Sequence, residues 1–229
     1  MAAETILILG ESGTGKSTSL RNLDPKETFI ISTTSKPLPW RGWKKSFNKF
    51  DTKTNKGNWY QTSKATNIIK IIKYVNAKLP NIKTIVIDDA QYVMSFDYLD
   101  RRSETGFQKF SDIGGEFTDL LRVADTLRDD IKLVFTAHSE NHGDAVNPKW
   151  GLKTLGRFVA EKITPEGLFT YVFYTMVEPG SDSKMEYKFL TNADGEHVAK
   201  TPMGMFEDLL IDNDMAEIIK VIDNYNNGE

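Results

Sequence analysis

Thr5-Ile6-Leu7-Ile8-Leu9-Gly10-Glu11-Ser12-Gly13-Thr14-Gly15-Lys16-Ser17-Thr18 is the stretch that decides the fold. Its opening residues are β-branched or aliphatic and read as a strand, and Gly10 to Ser17 then match Gly-x-x-x-x-Gly-Lys-Ser, with a helix expected to start near Lys16. The chemistry needs those residue types in that order. Glycines let backbone N–H groups curl round phosphate oxygens, Lys16 reaches the β and γ phosphates, and Ser17 ligates magnesium. The candidate nucleotide-binding residues are therefore Gly10, Glu11, Ser12, Gly13, Thr14, Gly15, Lys16, Ser17 and Thr18. The glycine order differs from Gly-x-Gly-x-x-Gly, which disfavours a dinucleotide site.

Outward from this loop, short β-branched runs alternate with amphipathic stretches, the pattern of parallel strands joined by crossover helices. Strands are expected at Thr5 to Leu9, Thr28 to Ser32, Thr84 to Asp88 and Lys132 to Ala137, and helices at about Ala65 to Lys78 and Phe117 to Arg128. Beyond Trp150 the texture changes. Leu168 to Met176 and Met185 to Leu190 read as antiparallel strands across the Glu178-Pro179-Gly180-Ser181-Asp182 turn, and a last helix covers Met215 to Asn224. At 229 residues the chain suits a single α/β domain with a mostly parallel central sheet flanked by helices. Within it, 36–60 reads as a basic and aromatic loop, 165–205 as a C-terminal β extension, and 226–229 as a fraying tail.

A phosphate-binding loop needs a metal-orienting acid at the end of a neighbouring strand, and Thr84-Ile85-Val86-Ile87-Asp88-Asp89 supplies two. Asp88 is the candidate magnesium partner opposite Ser17, while Asp89 is a candidate for polarising the attacking water. Glu140 competes for that second role, since it follows Leu133-Val134-Phe135-Thr136-Ala137-His138-Ser139, whose tip belongs beside the γ-phosphate. Thr136 and His138 are candidate sensors of nucleotide state.

Apolar residues at 39% and charged residues at 27% fit a packed globular protein. There is no cysteine, which excludes disulfides, thiolate zinc sites and thiol nucleophiles, and no run long enough for a signal peptide or membrane span. A cytoplasmic location is the expectation. The net charge of −3 conceals a split: from Lys36 to Lys56, seven basic residues face one acid, giving +6 there and −9 elsewhere. Trp40, Trp43, Phe47 and Phe50 interleave with those cations. Phosphates meeting Lys and Arg while bases stack on rings is the single-strand recipe, so Lys36, Trp40, Arg41, Trp43, Lys44, Lys45 and Lys49 are candidate DNA contacts. The alternative is that the rings anchor a loop whose lysines are solvated.

No Asn-Lys-x-Asp guanine-reading motif is present, nor a Leu-Ser-Gly-Gly-Gln-like signature, and the region where a helical lid would follow reads as strands. A RecA-like core is favoured. Such cores commonly take a neighbour's cation to complete the site, and Lys200 and Arg157 are candidates for it.

Taken together, Gly10 to Ser17, Lys36-Pro37-Leu38-Pro39-Trp40-Arg41-Gly42, Ile87-Asp88-Asp89-Ala90-Gln91-Tyr92, Thr136-Ala137-His138-Ser139-Glu140, Gly167-Leu168-Phe169-Thr170 and Thr191-Asn192-Ala193-Asp194-Gly195 through Lys200-Thr201-Pro202 resemble small phage-encoded RecA-like P-loop ATPases, the AAA-family ATP-binding proteins linked to single-strand annealing recombination. These segments span nearly the whole chain. The resemblance implies ATP and magnesium as cofactors, homo-oligomeric rings or filaments, and action on single-stranded DNA alongside a single-strand-binding protein in a phage-infected host. One departure stands out: such recombinases place a glutamate at the end of the strand after the phosphate loop, whereas Thr28 to Thr34 ends in Ser and Thr. Two other readings remain open, a nucleotide-gated replication loader with little hydrolysis and a small phosphotransferase.

Overall fold

The computed structural model describes residues 2–155, 159, 163–180 and 184–228. Among these, β1 (Glu4–Gly10), β2 (Thr28–Ser32), β3 (Trp59–Gln61), β4 (Thr84–Asp88), β5 (Lys132–Asn141), β6 (Trp150–Leu152), β7 (Tyr171–Pro179), β8 (Met185–Leu190) and β9 (Leu210–Asp212) form one sheet. Its order is β3-β2-β4-β5-β1-β7-β8-β9, with β6 paired to β5. From β3 across to β7 all neighbours are parallel; β7, β8 and β9 run antiparallel. Around it lie α1 (Trp43–Ser46), α2 (Ala65–Lys78), α3 (Tyr92–Asp100), α4 (Gln108–Leu121) and α5 (Met215–Asn227).

The two-residue period of a strand explains both layers. Leu7, Leu9, Phe29, Ile31, Ile85, Ile87, Leu133 and Phe135 face one way and pack with Ile68, Ile72 and Val75 of α2 and Phe117 and Leu120 of α4. Ile6, Ile8, Ile30, Val86 and Val134 face the other way, onto Leu20, Phe47, Met215, Ile218 and Ile222. Burial on both faces is why these strands read as unbroken hydrophobic runs.

Several expectations are corrected. No helix follows the phosphate loop; only a single 3-10 turn, Thr18–Asn22, forms there. Pro25 pushes Asp24 away from helical backbone, and Asn22 is a weak helix former, so the turn cannot propagate. The helix expected from Phe117 begins at Gln108 and ends at Leu121, followed by a 3-10 turn at Arg122–Thr126. Gly114 and Gly115 mask its first half by their poor propensity, yet Ile113, Phe117 and Leu120 keep one buried face. The tail is helical through Asn227, because Tyr225 donates to Met203 O at 3.0 Å and the Asn226 amide to Glu4 Oε1 at 2.7 Å. The acid-bearing strand β4 is not next to β1: β5 lies between them. The 36–60 segment is not a bare loop, since it carries α1 and ends in β3, paired to β2. Arg157, Ser181 and Asp182 lie outside the described residues.

Candidate functional site

The carboxyl ends of β1, β4 and β5 converge, as parallel register requires with Gly10 opposite His138 and Ser32 opposite Asp88. Here the chain leaves β1 through a turn that needs glycine at two places. A Cβ on Gly10 would stand 1.9 Å from Thr175 Oγ1, and Gly15 has φ +96° with Tyr187 Cδ1 only 3.0 Å from where its Cβ would be. Lys16 lies back across the turn, its Nζ donating to Gly10 O at 2.9 Å and Glu11 O at 2.5 Å. Burial lowers the Lys16 ammonium to about 8, with Asp89 and Asp88 opposing that shift.

Across from it, Asp88 Oδ1 accepts from Ser17 Oγ at 2.7 Å and from Thr136 Oγ1 at 2.7 Å. Burial first, and Asp89 second, push the Asp88 carboxyl above its usual range, and the two hydroxyls pull it back. Asp89 has φ +61°, a left-handed conformation that Asp tolerates better than most residues. Its peptide is clamped on both sides: Asp89 N–H donates to Thr136 Oγ1 at 2.9 Å, and Asp89 O accepts from Thr33 Oγ1 at 2.8 Å. The Asp89 carboxylate faces Lys36 Nζ at 3.7 Å and His138 Nε2 at 3.6 Å. Burial and the Lys16 charge hold His138 below the usual imidazole range.

A cavity of about 890 Å³ joins these groups to a wall that the sequence reading missed, formed by Glu186, Tyr187 and Lys188 of β8, by Asp212 of β9 with Asn213 and Asp214 after it, and by Glu217 of α5. Its size suits a mononucleotide-scale ligand. The cavity is divided electrostatically. Lys16 and Lys36 stand at the end by β4, whereas at the far wall Arg21 is 3.7 Å from Asp214, and Lys188 is 2.7 Å from Asp212 and 3.3 Å from Glu186. Asn213 Nδ2 is buried there without a hydrogen-bond partner, beside Gly15. No local motif marks this wall, because three separate segments assemble it through antiparallel pairing.

The donor set fits a hard divalent cation that keeps most of its waters: one hydroxyl and one carboxylate, already in register. Among the described residues no cluster of three or more His, Cys, Asp or Glu is placed to hold a metal ion.

Of the remaining candidates, Glu140 is drawn into the β5–β6 hairpin, where its Oε1 accepts from Thr154 N–H at 2.8 Å, and it does not line the cavity. Lys200 pairs by backbone with Val172 of β7 and does not line the cavity. Lys36 is brought into the cavity, apart from the other cations of its segment. Arg41, Lys44, Lys45 and Lys49 are exposed, while Phe47 and Phe50 are 3% and 4% exposed and Trp40 and Trp43 pack half-buried on the core. The rings anchor this segment more than they present free faces. Among the described residues no helix is long and apolar enough to cross a membrane.

No curated protein matches the chain. The family model described as AAA domain matches residues 2–188, which include the glycine-rich turn, both aspartates, the parallel sheet and the β8 part of the far wall, but not its residues 212–217. With four-fifths of its length so matched, the chain belongs to the AAA domain family, a P-loop family of ATPase type.

Proposed function

We propose that this chain binds ATP with magnesium and hydrolyses it in work on single-stranded DNA. The observation that carries the reading is the Ser17–Asp88 hydrogen bond at 2.7 Å, which joins the glycine-rich turn to the acid of β4 beside a buried Lys16. Ser17 and Asp88 would hold magnesium, which when bound would supply positive charge to offset the charge developing on the phosphates. Lys16 pairs with the phosphates; Asp89 orients water and accepts its proton. Titration of ATP with and without magnesium, followed by turnover assays with and without single-stranded DNA, tests the whole reading. Stimulation by DNA supports it, and bound but inert nucleotide would favour a gated loader instead.

The nucleoside belongs at the acidic wall, since four carboxylates there repel phosphate yet suit hydroxyls and an exocyclic amine. Tyr187 offers a stacking face and Asn213 Nδ2 an unused donor. Tyr187→Ala is expected to weaken ATP roughly tenfold, the worth of one base–aromatic stack, and to leave inorganic triphosphate affinity unchanged. Equal losses for both ligands in a calorimetric titration would remove the base from that wall.

The exposed cations of the α1 segment are the DNA contacts in this reading. Lys44, Lys45 and Lys49 replaced together by Ala should lower the log–log salt slope of single-stranded DNA binding by about 2, at about 0.7 per phosphate contact. An unaltered slope would place the DNA elsewhere.

A further inference from the structure

We propose that Lys36 supplies, within the same subunit, the cation that meets negative charge developing on the transferred phosphoryl group. The assignment rests on the ATP reading above. In that reaction the water oxygen bonds to the γ phosphorus, the bond from that phosphorus to the β–γ bridging oxygen breaks with its electron pair staying on ADP, and the water proton passes to Asp89. Negative charge accumulates on the γ oxygens and the bridging oxygen, and a transfer site needs positive charge on both flanks of it.

Lys16 provides one flank from the glycine-rich turn. For the other flank, cations lining the cavity are few, and most are committed. Arg21 is held by Asp214 and Lys188 by Asp212 and Glu186, all on the far wall. Burial and the Lys16 charge hold His138 below the usual imidazole range, disfavouring its charged form. Lys36 remains, with its Nζ 3.7 Å from the water-orienting Asp89.

The chain also fixes where Lys36 stands. Thr33, at the end of β2, is 2% exposed and tied to the acids of β4, its N–H to Asp88 O at 3.2 Å and its hydroxyl to Asp89 O at 2.8 Å. Just past Lys36, Pro37 and Pro39 stiffen the backbone around Leu38, which is 4% exposed in the core. The segment is therefore pinned on both sides of Lys36, while the side chain itself is 65% exposed. Tyr92, with its ring centroid 5.5 Å from Nζ, guides it over Asp89. Lys36 thus stands four residues beyond β2, across from Asp89, which carries the carboxylate.

The test uses the full chain and three readouts: ADP affinity with magnesium, trapping of ADP with aluminium fluoride as a mimic of the transferred phosphoryl group, and turnover. Lys36→Ala should keep ADP affinity within about twofold, lose roughly a hundredfold or more in fluoroaluminate trapping, and lose turnover by about the same factor. Lys36→Arg should restore trapping to within about tenfold of wild type. Wild-type turnover per subunit should not depend on protein concentration. Wild-type trapping by Lys36→Ala overturns the assignment, as does loss of ADP affinity equal to the loss of turnover. Turnover that rises with concentration and vanishes in Lys200→Ala would give the role to a neighbouring subunit. A wild-type protein that binds no ADP would instead defeat the ATP reading, before Lys36 is reached.

Discussion

Lys16→Ala is expected to lose ATP affinity by at least about a hundredfold, because truncating one partner of a desolvated charge pair costs on the order of 3 kcal/mol. The fold should survive, since Lys16 bonds only to carbonyls of its own turn, Gly10 O and Glu11 O. A sharper signature comes from pH. Burial holds the Lys16 ammonium at about 8, and bound phosphate must raise it again. Above pH 8 the nucleotide-free protein therefore sheds this proton, and binding has to take it back. By linkage, the dissociation constant for ADP should be flat from pH 7 to 8 and then rise by up to about tenfold per pH unit. The same shift acts on stability with a definite sign. Between pH 8 and the unfolded value of 10.5 the unfolded chain binds the extra proton, so stability without nucleotide should climb with pH through that window. Lys16→Ala should abolish both pH effects. Calorimetry in buffers of different ionisation enthalpy would read the proton uptake directly, and an ADP affinity within threefold of wild type in the variant would end the claim.

Which parts of this site the sequence disclosed follows from how far apart the participating residues are. Gly10 to Ser17 is legible because phosphate chemistry is concentrated in one contiguous turn, and Asp88 because it ends a run of strand formers. Strands β2 and β4 were legible to the residue, being buried on both faces and so continuously hydrophobic. Failure began where tertiary pairing decides. The wall carrying Tyr187, Asn213 and Asp214 arises from β8 folding back on β7 and β9 on β8, and it meets Arg21 from 192 residues away, where Arg21 Nη1 donates to Asn213 O at 2.8 Å. Lys36 was grouped with its basic neighbours because charge is counted along the chain, whereas the bonds of Thr33 to β4 bend that one residue into the cavity. Asp89 illustrates a third kind of limit. Two adjacent aspartates look alike in sequence, and only the structure shows the left-handed backbone at Asp89 that gives the two carboxylates different partners.

That separation makes Asp88→Asn informative, for it should raise stability and impair function at once. Burial and Asp89 push the Asp88 carboxyl above its ordinary value, so the folded chain disfavours its charge. A raised carboxylate loses stability as pH climbs from the unfolded value of 3.8 through the folded one, which means ionised Asp88 weighs against folding at neutral pH. Asparagine keeps the shape and keeps an oxygen to accept from Ser17 and Thr136, each at 2.7 Å in the wild type, while removing the charge. The nucleotide-free variant should therefore melt at a higher temperature than wild type. Magnesium, however, needs that charge opposite Ser17, and losing such a supporting carboxylate typically costs about 10- to 100-fold in metal affinity. Thermal melts with ATP, run with magnesium and with chelator, should show the wild type gaining markedly from the metal and the variant hardly at all. A variant whose ATP affinity still improves with magnesium as much as wild type would show that Asp88 does not hold the metal, and Asp89 would then be the acid to examine. A variant that melts lower than wild type would mean that the Ser17–Asp88–Thr136 hydrogen bonds outweigh the burial of the charge, reversing the balance argued here.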